Sequence, residues 1–193
     1  MKRIFSLCVA SALALAPVAA ALAQGSGLPG DSGRWMDGVF PVNPPPQPKG
    51  AARARATTPA PPIRLALKAV EAIANGCKQY PLGVAVVNAK GEPILTYIPD
   101  GSESSHTYTA IRKAYTAITY KVDTSELVAK AQQDAAFAAE IKANPNLMAF
   151  KGGLIIKKGD SIIGAIGVSG AEPGGHDAEC GMKGLKAIEG QLE

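Results

Sequence analysis

The spacing of hydrophobic residues changes repeatedly from Ile63 onward, and each change marks an element. In "IRLALKAVEAIANGCKQY" apolar residues stand at Ile63, Leu67, Val70 and Ala74, the period of one helix face. "LGVAVVN" is a β-branched run between Pro81 and the turn "NAKGE", and "PILTYIP" follows it, so the pair predicts a hairpin. "SESSHTYTAIRKAYTAITY" predicts a second helix, with serines available as N-caps. Asp123 and Glu126 stand three apart, as in a capping box. They open a helix that runs to about Ala143, where Asn144-Pro145 stops it. "GLIIKK", the turn "KGD" and "SIIGAIGVSG" predict a second hairpin, and the bend "SGAEPGGHD" leads into a last helix ending near Leu192. The order is α-ββ-αα-ββ-α. Hairpins pair antiparallel, and one sheet flanked by helices buries such faces economically. The expected fold class is therefore α+β, a single domain over 63–193.

The first 62 residues follow other rules. Lys2 and Arg3 precede an apolar run from Ile4 that ends in Ala21-Leu22-Ala23, the pattern of a cleaved secretory signal peptide over 1–23. Cleavage is expected between Ala23 and Gln24, which places the mature protein in a periplasm or outside the cell. No second long apolar run follows, so no membrane span is expected in the mature chain. Residues 24–62 hold nine of the 15 prolines and predict a disordered linker.

Charge and motifs exclude several classes. The net charge is +4, yet Arg64 to Glu193 carries 14 basic and 14 acidic residues. A neutral domain with few aromatics is not expected to bind nucleic acid. No GxSxG, HExxH or phosphate-binding loop occurs. The glycines of "GAIGVSG" fit close backbone packing better than a dinucleotide cradle. With the signal removed, Cys77 and Cys180 remain, and an isolated pair in an oxidising compartment points to a disulfide. It would close a loop of about 100 residues, worth about 4 kcal/mol in the chain-entropy account. Without a CxxC a thioredoxin-like centre is not expected, and without a CxxCH covalent c-type haem attachment is excluded.

One candidate for chemistry remains. His106 stands one turn into the second helix, with Thr109, Ala110 and Lys113 on roughly the same face. Small residues there leave room for a flat ligand, and Arg112 or Lys113 can pair with its acid groups. Tyr108, Tyr115 and Tyr120 add stacking surfaces. The other reading is a half-exposed helix histidine without a role. His176, in the "GGHD" bend, fits a turn or cap. Two histidines without a cysteine or carboxylate cluster do not make a tetrahedral zinc site.

"GVAVVNAKGEPI", "DGSESSHTYTAIRKAYTA" and "GGLIIKKGDSIIGAIGVSGAEPGGHDAEC" resemble the GlcG/HbpS-like haem-binding family, whose domain also ends PduO-type corrinoid adenosyltransferases. The similarity covers about Ile63 to Leu192. It implies a profilin-like antiparallel sheet of about five strands flanked by helices, with the fifth strand near "NLMAF". It also implies a homo-oligomer and haem as ligand. His106 and Thr107 match the "H-T" of the secreted branch, and Cys77 and Cys180 match its cysteines, which supports the bridge. Asn88 departs from the aspartate of many relatives.

The leading expectation is a secreted protein that holds haem b noncovalently, to buffer, deliver or sense it. His106 is the expected iron ligand, with Thr107, Thr109, Arg112 and Lys113 around the cofactor. Another tetrapyrrole or a corrinoid is the second choice of cofactor. The alternative is a small-molecule-binding accessory factor or enzyme linked to periplasmic alcohol or hydroxy-acid oxidation. Its carboxylates Asp100, Glu103 and Asp177 have nothing in sequence to single them out, and no catalytic residue is assigned. A third reading is a structural oligomer whose proline-rich arm recruits partners.

Overall fold

A computed structural model describes residues 58–171 and 175–192. The signal peptide over 1–23 and most of the linker over 24–62 lie outside them. Helix α1 (Ile63–Gly76) is followed by the hairpin β1 (Gly83–Asn88) and β2 (Pro93–Tyr97). Helices α2 (Ser104–Tyr120), α3 (Thr124–Gln133) and α4 (Ala135–Ala143) come next, then the hairpin β3 (Gly153–Lys158) and β4 (Ser161–Ser169), and finally α5 (His176–Ile188). The strands form one antiparallel sheet in the order β2-β1-β4-β3. The α+β expectation holds.

The alternation of strand side chains decides which helix lies where. Val84, Val86, Ile166 and Val168 point to one face, where they meet Leu65, Ala66, Ala69 and Ile73 of α1 and Ile188 of α5. Ala85, Val87 and Ala165 point to the other face and meet Ala110, Ala114 and Ala117 of α2. Every residue of β1 is therefore buried. The second face is built for close approach. A Cβ on Gly167 or Gly83 would collide with the α2 backbone, at Ala110 and at His106-Thr107 respectively. These glycines let α2 lie directly on the sheet, as the packing reading of "GAIGVSG" requires. On the opposite face the Cys77–Cys180 disulfide ties the end of α1 to α5.

Several local expectations need correction. The helix expected from Asp123 to about Ala143 is two helices. Asp134 leaves helical geometry, and its side chain accepts a hydrogen bond from Phe137 N, capping α4 instead of continuing α3. The capping box at Asp123 does not form: its carboxylate accepts Ile155 N of β3 at 2.8 Å. No serine caps α2; Glu103 occupies that position without a side-chain cap. Among the described residues there are four strands rather than about five. The segment near "NLMAF" is fastened to α2 by side chains. Thr116 Oγ1 accepts Met148 N at 2.8 Å, and Arg112 Nη2 donates to Leu147 O at 2.9 Å. Backbone groups satisfied in this way have no ladder to join.

The last linker residues belong to the folded body. Pro59 O accepts Ala89 N at 2.9 Å, and a Cβ on Gly164 would touch the Pro61 ring. No described helix is long and apolar enough to cross a membrane.

Candidate functional site

A cleft of about 450 Å³ opens where the exposed side of α2 passes the end of β4 and the start of α5. Thr109 and Lys113 of α2 form its floor, four residues apart on one helix face. Val128 of α3 and Met148 and Phe150 of the following segment form an apolar wall. Lys151, Ser169, Gly175 and Asp177 complete it. Thr116 and Arg112, by fixing the backbone of Leu147 and Met148, set where this wall stands. Phe150 is 64% exposed, so the apolar side of the cleft is open.

The floor holds a buried ion pair. Lys113 Nζ lies 2.7 Å from Asp177 Oδ2 and 3.1 Å from Val168 O, with side chains only 4% and 11% exposed. Asp177 Oδ1 also accepts Ala171 N at 2.9 Å. The carboxylate thereby joins α2, the end of β4 and α5 around one charge. Its burial requires this degree of pairing.

His106 does not line the cleft. It precedes Thr109 by one turn, and its ring faces Gly170, next to the cleft residue Ser169. A Cβ on Gly170 would come within 2.7 Å of Nδ1. Nδ1 sits 2.6 Å from Pro81 O. A carbonyl only accepts, so Nδ1 carries the proton and donates. In the neutral ring this leaves the lone pair on Nε2. An imidazole held through its other nitrogen in this way is prepared for a metal.

The other candidates scatter. Thr109 and Lys113 line the cleft, but Lys113 is already paired to Asp177. Thr107 is buried toward β1, and its hydroxyl has no hydrogen-bond partner. Arg112 turns to a neighbouring cleft between α2, α3 and α4. His176 stacks on Tyr80 and pairs with Glu179 at 2.9 Å. Among the described residues no group of three or more His, Cys, Asp or Glu could hold a metal ion. Sequence reasoning passed over Asp177, Met148, Phe150 and Lys151. The one available signal was an aspartate in the first turn of the helix that follows the "GGHD" bend.

A family model described as "Haem degrading protein HbpS-like" matches residues 63–186. The chain belongs to the HbpS-like family. A double mutant of Streptomyces reticuli HbpS is similar to it at 27% identity and a TM-score of 0.62, covering 75% of this chain and 99% of that one. A second HbpS structure matches at 28% identity and 0.61, over 72% and 98%. The PduOC:heme complex shares the fold at 23% identity and 0.61, over 67% and 95%. No curated protein sequence matches significantly. The HbpS-like assignment agrees with the observed sheet and helix order.

Proposed function

We propose that this HbpS-like protein binds haem noncovalently at the α2 cleft, outside the cytoplasm. The observation that carries the reading is the cleft itself. It is large enough for a prosthetic group, walled by Val128, Met148 and Phe150 on one side and carrying the Lys151 cation on the other. The residues fit a haem: an apolar wall for the macrocycle, the Met148 thioether in the lining, and the His106 imidazole beside Gly170, next to the lining residue Ser169, as the kinds of donor haem iron accepts. His106 is the iron ligand in this reading. The Pro81 carbonyl orients its ring, leaving Nε2 to bind. Membership of a family described by haem chemistry and the likeness to HbpS support it. The amino-terminal pattern over 1–23 supports export. The exposed apolar residues Phe150, Ile63 and Leu67 support assembly of several copies. Haem supplies the iron and its redox and ligand chemistry; this chain's residues bind it, orient it and keep water from its apolar face.

Titration of the mature protein with haemin, followed in the Soret region, tests the reading. Wild type should give a sharp saturable band, and His106→Ala should shift or lose it. A band lost in Met148→Leu but kept in His106→Ala would move the ligand to the thioether. No saturable band in wild type would end the proposal.

A further inference from the structure

Among the described residues Arg112 has no counter-ion. Its Nη2 donates to Leu147 O at 2.9 Å, and its Nε is buried with no hydrogen-bond partner. The ion pairs among the described residues are Lys113–Asp177 and His176–Glu179, and neither involves Arg112. Burial alone pushes the guanidinium below its ordinary range, without a carboxylate to raise it. A half-buried guanidinium is normally met by an acid, because desolvating its charge costs too much otherwise. Arg112 lines a cleft of about 350 Å³ that is mostly apolar, with Ala138, Ile141 and Leu147 in its wall and Lys142 and Asn144 as its other polar residues.

We propose that this cleft is a second binding site, one that takes a carboxylate carried on an apolar body. The carboxylate meets the Arg112 fork, whose planar geometry suits two parallel hydrogen bonds. The body lies along Ala138, Ile141 and Leu147. Two sources of this chemistry fit. One is a free alkanoate. The other is the acid arm of a tetrapyrrole, because Met148 and Phe150 line both clefts and join them. Only the second source rests on the haem reading.

The test is calorimetric titration with octanoate, beside Soret titration with haemin and with haemin dimethyl ester. Wild type is compared with Arg112→Gln and with Ala138→Leu, which fills the cleft and keeps the cation. Thermal melts confirm that each variant is folded. A free-acid site is supported if octanoate binds wild type, both variants weaken it about tenfold or more, and haemin binding is unchanged. The tetrapyrrole source is supported if octanoate does not bind, Arg112→Gln weakens haemin about tenfold, and the dimethyl ester ignores the substitution. Octanoate binding without haemin binding would sink the haem reading and leave this site standing. The proposal is overturned if a folded Arg112→Gln protein binds octanoate and haemin as wild type does, or if neither binds wild type.

Discussion

Arg112 and Lys113 are consecutive on α2, about 100° apart around the helix, and their charges are handled in opposite ways. Lys113 turns toward β4 and α5, where Asp177 and the Val168 carbonyl close around its ammonium. Arg112 turns toward α3 and α4, where a single carbonyl, that of Leu147, meets its guanidinium. One charge is sealed into the framework and the other is left open at a cleft. Net charge and local sequence treat them as equals. The difference lies in what distant segments bring to each, residue 177 in one case and residue 147 in the other. A sealed pair holds the site in shape, whereas an open cation is available to something that arrives.

The sharpest way to break this comparison is Asp177→Asn. It leaves the Lys113 ammonium buried beside a neutral amide, a loss of about 3–5 kcal/mol by the usual cost of an orphaned buried charge. Urea unfolding measures it. The double substitution Lys113→Met with Asp177→Leu should recover most of the loss, since two apolar side chains replace the pair without stranding a charge. If Asp177→Asn unfolds within about 1 kcal/mol of wild type, the pair is not a structural lock. Arg112→Met sharpens the contrast from the other side. It sacrifices one hydrogen bond to Leu147 O but also removes a desolvated charge, so the two effects offset and stability should stay within about 1 kcal/mol. A much larger loss in the same unfolding measurement would show that Arg112 serves mainly to hold the 147–148 backbone.

What could be read in advance follows the same division between local and distant. Period and turn chemistry placed both hairpins and the helices around them, because those signals are local, but the face expected of α1 was not the buried one: Ile63 and Leu67 are exposed, and Leu65, Ala66, Ala69 and Ile73 face the core with Val70. The glycines of β4 were legible as packing positions, and the cysteine pair as a bridge, because each has few alternatives. The capping box at Asp123 was misread and the helix break at Asp134 missed because an aspartate offers the same carboxylate to a helix end or to a strand. Only the fold shows that Asp123 reaches Ile155 N and that Asp134 breaks the helix. The missing fifth strand has the same origin, since Thr116 and Arg112 take up the backbone groups a strand would use. His106 was found because histidine is scarce, and its bond to Pro81 could not have been. Asp177 was passed over because its partner is 64 residues away.

The smallest effect is expected beside Asp177, where α5 carries a second ion pair. His176 and Glu179 sit 2.9 Å apart, like Lys113 and Asp177 in distance but unlike them in setting, since their side chains are 40% and 72% exposed. The hydrogen bond from His176, then its charge, holds the Glu179 carboxyl below the ordinary glutamate value. A depressed carboxylate contributes stability that is present above the unfolded-state value and fades as pH falls through the folded one. Water and salt screen this pair almost completely. Glu179→Gln should therefore leave the thermal midpoint unchanged within error at neutral pH. The shift itself remains measurable: an NMR titration should place Glu179 below the ordinary glutamate range, and His176→Gln should return it upward. A melting point that drops with Glu179→Gln as it does with Asp177→Asn would show that position on α5, rather than burial, sets the value of these pairs, and the contrast between Arg112 and Lys113 would then need another cause.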